Sequence, residues 1–253
     1  MFNIFNKSKV EFICLIPEVA RQMPIEPAKK VNYNWTKLMS ASLADMKSKL
    51  PLWERVRHIA KCPGIATVTN HGFIQKTYQD IFIKTNGSKG FEWKTALDQT
   101  ILMQEPLFKY PYIGHHILEN SNSFGILKPN TLSTVIKIQS PWVVKIPKGY
   151  YLLCMPIPYN DDNRFTASIG LLDGDAGINW LNVQLFWHCL NSEELIPAGT
   201  PIAQYILVKK DKINYTIREA NANNLTELKQ LQLILDSSFS NSNYGKLKQN
   251  YKD

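Results

Sequence analysis

Between residues 63 and 211 the chain is a succession of short β-favouring runs cut by turn residues. Six follow in close order: TVIKIQ (134–139), WVVKIP (142–147), GYYLLCMPI (149–157), FTASIGLLD (165–173), WLNVQLFWHCL (180–190) and GTPIAQYILVKK (199–210). Strands this short, spaced by Gly, Pro and Asn, belong to a sandwich, a jelly roll or a barrel. One phrase, Ile-Pro-x-Gly followed by an apolar run, occurs twice, at 146–149 and 196–199. Proline fixes φ and removes a ladder donor, and glycine admits a turn that other residues resist. Neither copy brings a nucleophile, base or metal ligand with it, so both read as corners of one β domain.

The same rules extend the reading upstream. GIATVTN (64–70), HGFIQKTYQDIFIKTNG (71–87), FEWKTAL (91–97) and YIGHHILE (112–119) are further short runs, with TNGSKG (85–90) as a hairpin turn. VEFICLI (10–16) reads as a strand, and the proline-rich stretch after it as an irregular connection. Trp35, Leu38, Met39, Leu43 and Met46 recur at helical spacing before Pro51. Leu225, Leu228, Leu231 and Leu235 mark a short C-terminal helix, with Asn224 or Thr226 as its cap. The expected organisation is an N-terminal strand and helical region packed on the core (1–62), a β-rich core domain (63–211), a C-terminal strand and helix (212–240), and a polar flexible tail (241–253).

At 253 residues the chain can bury a core without staples. The four cysteines, Cys14, Cys62, Cys154 and Cys189, are widely separated and form no CxxC, which fits reduced thiols in a cytosolic compartment. No apolar stretch is long enough for a membrane-spanning helix, and the charged N-terminal stretch does not read as a signal peptide. The net charge of +8 is uneven. Residues 1–62 carry +6, residues 63–208 carry −1 and residues 209–253 carry +3. Such basic ends can meet an acidic protein partner or nucleic acid.

Candidate chemistry gathers in a few places. His115, His116 and Glu119 lie in one run, and His188 sits in another. Two histidines and a carboxylate can hold a divalent metal with open positions. Adjacent strand residues face opposite sides, so only one of His115 and His116 can point inward. The spacing is not that of the cupin motif that such a site would resemble. Asp161, Asp162 and Arg164, and then Asp173 and Asp175, sit in polar turns between strands. Phe108, Tyr110 and Tyr112, in a proline-interrupted aromatic loop, are the expected contact surface together with Asp161, Asp162 and Arg164. No G-x-S-x-G, phosphate loop or complete catalytic motif occurs.

Two resemblances rest on these residues. VKIPKGYYLL, IGLLDGDAG, NVQLFW and IPAGTPIAQYILV make residues 143–208 resemble the β-clip of the dUTPase and dCTP-deaminase group. That resemblance implies a β-clip-like barrel, with Asp173 at the position of the family's catalytic aspartate. The Arg-Ser-Gly motif and the Gly-rich tail that close on a triphosphate are missing. KCPGI, QDIFIKTNG, FEWKTALDQ, IKIQSPWVVKIPKGYYLL, RFT, LNVQLFWH and AGTPIAQYILV are similar to a family of proteins encoded by marine T-even-like cyanophages and related viruses. This implies a viral origin and carries over no activity.

The sequence therefore points to a virus-encoded, non-catalytic β-rich binding or assembly protein that needs no cofactor. Such a protein would sit in the virion or the host cytoplasm, with a protein partner or a second copy of itself. The alternative is an enzyme on the same scaffold. It would be either metal-dependent through His115, His116, Glu119 and His188, or nucleotide-directed through Asp173.

Overall fold

The computed structural model describes residues 9–31, 34–49, 62–95, 112–117 and 130–237. Among them the chain is mainly β, with fifteen strands in four antiparallel sheets. It divides into two units, Met1–Thr36 with Ala66–Asp211, and Lys37–Ile65 with Lys212–Asp253. The division keeps the first strand with the β core and sets the helical region from Lys37 with the C-terminal segment.

The strands run β1 (Glu11–Cys14), β2 (Glu26–Pro27), β3 (Phe73–Lys76), β4 (Ile81–Thr85), β5 (Phe91–Thr95), β6 (Ile113–Ile117), β7 (Thr134–Ile138) and β8 (Trp142–Lys145). They continue with β9 (Tyr150–Met155), β10 (Phe165–Ala167), β11 (Gly170–Asp173), β12 (Ile178–Trp180), β13 (Val183–Trp187), β14 (Glu193–Ile196) and β15 (Pro201–Lys209). The four sheets have the orders β1-β8-β12, β10-β13-β7-β6, β11-β9-β15-β3-β2 and β14-β4-β5. The described strands close no barrel, which corrects the barrel form of the expectation.

One buried cluster draws on every sheet. Val144 comes from the first, Ile136, Leu185 and Trp187 from the second, Leu152, Ile202 and Tyr205 from the third, and Ile81, Ile83 and Ile196 from the fourth. Phe165 stacks on Trp187 with ring centroids 6.4 Å apart. The alternation of β13, buried at Val183, Leu185 and Trp187, is the period-2 pattern its sequence carries.

The two Ile-Pro-x-Gly corners do the same job. Each hands the chain from another sheet into the five-stranded one, from β8 to β9 and from β14 to β15, and β9 and β15 then pair with each other. Gly149 and Gly199 take φ of 76° and 85°, the left-handed region that glycine enters freely. Each corner is closed by a distant carboxylate: Gly149 N–H donates to Asp175 Oδ1 at 3.2 Å, and Ala198 N–H to Asp80 Oδ1 at 2.7 Å.

Two runs read as single strands are each two strands in different sheets. FTASIGLLD breaks at Ser168–Ile169, sending β10 to β13 and β11 to β9. WLNVQLFWHCL breaks at Leu181–Asn182, separating β12 from β13. GIATVTN is not a strand but part of helix α3 (Pro63–Asn70). Pro63 supplies a helical φ at its start. The side chains of Thr69 and Asn70 bond back to Ala66 O, and Gln204 Nε2 takes the carbonyls of Val68 and His71. The proline-rich N-terminal stretch likewise contains a helix, α1 (Pro17–Gln22), which buries Val19.

Helix α2 (Asn34–Lys49), in the second unit from Lys37 onward, lies where the helical spacing places it. Residues 212–221 form no strand, contrary to the expected C-terminal one. Helix α4 (Ala222–Ser237) begins three residues before Leu225. Its cap is Asn221: Asn224 N–H donates to Asn221 Oδ1 at 3.0 Å, and Asn221 N–H donates back to Asn224 Oδ1 at 3.3 Å. No described helix is long and apolar enough to cross a membrane.

Candidate functional site

The acidic turn after β11 is built from its own backbone. Asp173 caps a 3-10 turn over Gly174–Ala176, accepting Asp175 N–H at 2.8 Å. Gly174 is buried, and a Cβ there would stand 2.4 Å from Pro147 O and 2.8 Å from Tyr150 O. The turn is therefore pressed against the first Ile-Pro-x-Gly corner. Lys210, one residue beyond β15, closes the assembly. Its N–H donates to Gly149 O at 2.8 Å, and its ammonium bonds Asp175 at 2.6 Å and also Asp173. The ammonium stands 4.4 Å from the centre of the Tyr151 ring. Lys210, followed by the Asp175 N–H, holds the Asp173 carboxyl below its ordinary range. Lys210, followed by the Gly149 N–H, does the same for Asp175, and both carboxylates raise Lys210 in turn. Asp173 is thus a charged, half-exposed carboxylate already held by a cation and an amide.

The second polar group surrounds Arg164 at the start of β10. Its Nε and NH2 fork onto Asp162 at 2.9 and 2.6 Å, its N–H also bonds Asp162, and NH1 bonds Leu195 O. Burial works to raise the Asp162 pKa, but the guanidinium and the amide together carry it below the usual value. Arg164 O accepts the N–H of His188 at 2.8 Å. The His188 ring lies between two hydroxyls, Nδ1 3.0 Å from Thr131 Oγ1 and Nε2 2.8 Å from Thr166 Oγ1. A hydroxyl can donate or accept, so both nitrogens are satisfied in either tautomer. Burial, followed by the Glu194 charge, pushes the neighbouring Cys189 thiol up, away from the reactive thiolate form.

The expected metal ligands do not converge. His115 and His116 are both exposed on β6, so neither turns inward. His115 registers with Ile136 of β7, which registers with Leu185 of β13. Two ladder steps of about 4.8 Å put β6 roughly 10 Å from β13, and His188 lies beyond the end of β13. Both ring nitrogens of His188 are engaged by Thr131 and Thr166, whereas a metal ligand needs one nitrogen about 2 Å from the ion. Among the described residues no three His, Cys, Asp or Glu side chains gather as a metal site. Glu119 lies outside the described residues.

The aromatic contact surface is corrected at Tyr112, which is buried and packs on Tyr78 with centroids 4.4 Å apart. Burial drives its phenol far above the ordinary range. Phe108 and Tyr110 lie outside the described residues. Asp161 is exposed, whereas Asp162 and Arg164 are engaged with each other.

Sequence reasoning missed a buried polar chain. Tyr205 OH donates to Gln75 Oε1 at 2.7 Å, Gln75 Nε2 donates to Ser140 Oγ at 3.0 Å, and Ser140 N–H donates to Asn182 Oδ1 at 3.0 Å. Cys154 beside Tyr205 is pushed up to about 11 by burial. A polar residue inside an apolar run, Gln75 in FIQK or Gln204 in PIAQYILV, was the available signal. Also missed were exposed apolar side chains on two sheet edges: Ile169 and Leu171 at β11, and Ile178 and Trp180 on β12.

No protein-family model matches the chain, and the search of curated proteins finds no match.

Proposed function

We propose that the protein is a virus-encoded, non-catalytic binding or assembly protein whose working surfaces are its sheet edges. The observation that carries this reading is a contrast. Three of the reactive groups named from the sequence are spent on internal bonds, Asp173 on Lys210, Arg164 on Asp162 and Leu195, and His188 on two threonines. Meanwhile the outermost strands β11 and β12 hold large apolar side chains out to solvent. Exposed edges of this kind are templates for another chain. The viral assignment rests on the sequence resemblance alone, and a seat in the virion or the host cytoplasm with a protein partner or a second copy belongs to the same proposal.

Quantitative mass spectrometry of purified virions and infected cells tests the assignment, with the protein expected at a fixed copy number in virions or in a stable intracellular complex. Stoichiometric metal in the purified protein, or turnover of any member of a deoxynucleotide panel, overturns the non-catalytic reading.

A further inference from the structure

We propose that Asn86–Gly87 is a self-modification site, where Asn86 loses its side-chain nitrogen to become aspartate or isoaspartate, and that Asn191 sets the pace through its hold on the Gly87 amide.

Asparagine is among the chemically labile side chains, and the residue after it decides how labile it is. The backbone nitrogen of that residue can attack the side-chain carbonyl carbon, and a side chain beside that nitrogen obstructs the approach. Asn86 is the one asparagine in the sequence followed by glycine. It lies exposed in the turn between β4 and β5, and no described residue bonds its side-chain amide. Gly87 takes φ of 79°, and a Cβ there would meet nothing within 4 Å. The reacting pair therefore has open space beside it.

The turn is fastened on both sides of Asn86. Before it, Thr85 N–H donates to Ser192 O at 2.9 Å and the Thr85 hydroxyl to Cys189 O at 2.8 Å. After it, Ser88 O accepts the N–H and the hydroxyl of Ser133 at 2.7 and 2.6 Å, and Lys89 O accepts the Thr134 hydroxyl at 3.0 Å. The nucleophile itself is engaged: Gly87 N–H donates to Asn191 Oδ1 at 2.7 Å. That bond must break before the nitrogen can give up its proton and attack, so Asn191 slows the reaction. Asn191 holds this position with φ of 56°, a left-handed conformation that asparagine tolerates.

The chemistry closes without a cofactor. The Gly87 nitrogen gives its proton to solvent and bonds Asn86 Cγ. The bond from Cγ to the side-chain nitrogen breaks, and the nitrogen leaves as ammonia. Water then opens the cyclic imide at either carbonyl. Opening at one gives aspartate. Opening at the other gives isoaspartate, with the main chain rerouted through the former side chain. The sum consumes a water, releases an ammonia and replaces a neutral group by a carboxylate.

Asp173–Gly174 can close the same ring, and the fold shuts it. Gly174 is buried, and a Cβ there would stand 2.4 Å from Pro147 O. The Asp173 carboxylate is held by Lys210 and by Asp175 N–H. A carboxylate kept charged is a poor electrophile. From sequence the two pairs look alike, whereas the structure opens one and closes the other.

The test incubates the full chain at neutral pH in heavy-oxygen water and maps its peptides by mass, for wild type and for Asn191→Gly. Glycine keeps the backbone conformation of Asn191 and removes its oxygen, with unchanged circular dichroism and melting as the folding control. Wild type should take up heavy oxygen at position 86 before any other asparagine, in two separable products of equal mass. Asn191→Gly should react about two- to tenfold faster, the factor that one net hydrogen bond represents. Asp173 should stay unchanged over the same period. The proposal is overturned by an unreacted Asn86 in wild type when other asparagines have changed, or by a single product, which would mean direct hydrolysis without the ring. A folded Asn191→Gly that reacts no faster overturns the part given to Asn191. Isoaspartate forming at position 173 as fast as at 86 overturns the claim that the fold separates the two pairs.

Discussion

Lys210 joins three segments through one side chain and one amide. Both of its acidic partners have lowered pKa values and its own is raised, so the sign of the pH effect is fixed. The carboxylates stabilise the fold above their unfolded values of about 4, and that contribution is lost as pH falls through their lower folded values. The lysine contributes below about 10.4, and its share is lost as pH rises through its folded value. Lys210→Met should therefore melt below wild type at pH 7, with the difference shrinking towards pH 2. Parallel melts at pH 7 and pH 2 check this, and a gap that widened in acid would refute the assignment. The neighbouring Gly174 admits no side chain, since its Cβ would meet two backbone oxygens. Gly174→Ala should cost about 1–3 kcal/mol, the usual range for overpacking, read as a shift in the urea midpoint.

The corners are the elements on which the sheets turn, and each depends on a residue far away in sequence. Thr77, fully buried after β3, donates to Pro197 O at 2.8 Å and accepts Thr200 N–H at 3.1 Å. Thr77→Val keeps the shape and removes both bonds, but the Thr200 N–H and hydroxyl still reach Pro197 O at 3.2 and 2.7 Å, so a loss of about 0.5–1.5 kcal/mol is expected. Chemical denaturation measures it, and a change below a few tenths would show that water replaces the hydroxyl. These elements also mark how far the sequence could be read. The strands and both corners were legible because their alternation and their Ile-Pro-x-Gly phrase are local. The switches between sheets at Ser168–Ile169 and Leu181–Asn182 were not, because neither contains Gly or Pro and the destination of a strand is a tertiary choice. Helix α3 was hidden by the β-branched Ile65, Thr67, Val68 and Thr69, whose strand preference is overruled once Gln204 takes the helix's last carbonyls. Of the candidate site, Asp173 and Arg164 were found as residues, but their partners Lys210 and Leu195 lie too far along the chain for spacing to reveal.

On the scale of the whole molecule, the buried polar contacts of β15 are long-range in sequence. Gln204 reaches back to Val68 across 136 residues, and Tyr205 to Gln75 across 130. Both belong to β15, the central strand of the five-stranded sheet, flanked by β9 and β3. A chain ending at Thr200 should accordingly show no cooperative melting, and Trp187 should emit as a solvated indole. A sharp transition in that truncated chain would show that the remaining sheets hold together without β15. The order of the strands sets a schedule during translation. β3 leaves the ribosome early and has no permanent neighbour on one side until residues 201–209 are made. At about 5–20 residues per second, that strand is completed roughly 10–40 s after initiation. Until then the apolar faces of the earlier strands are open on the nascent chain, so chaperone demand should peak late in synthesis and fall when β15 takes its place.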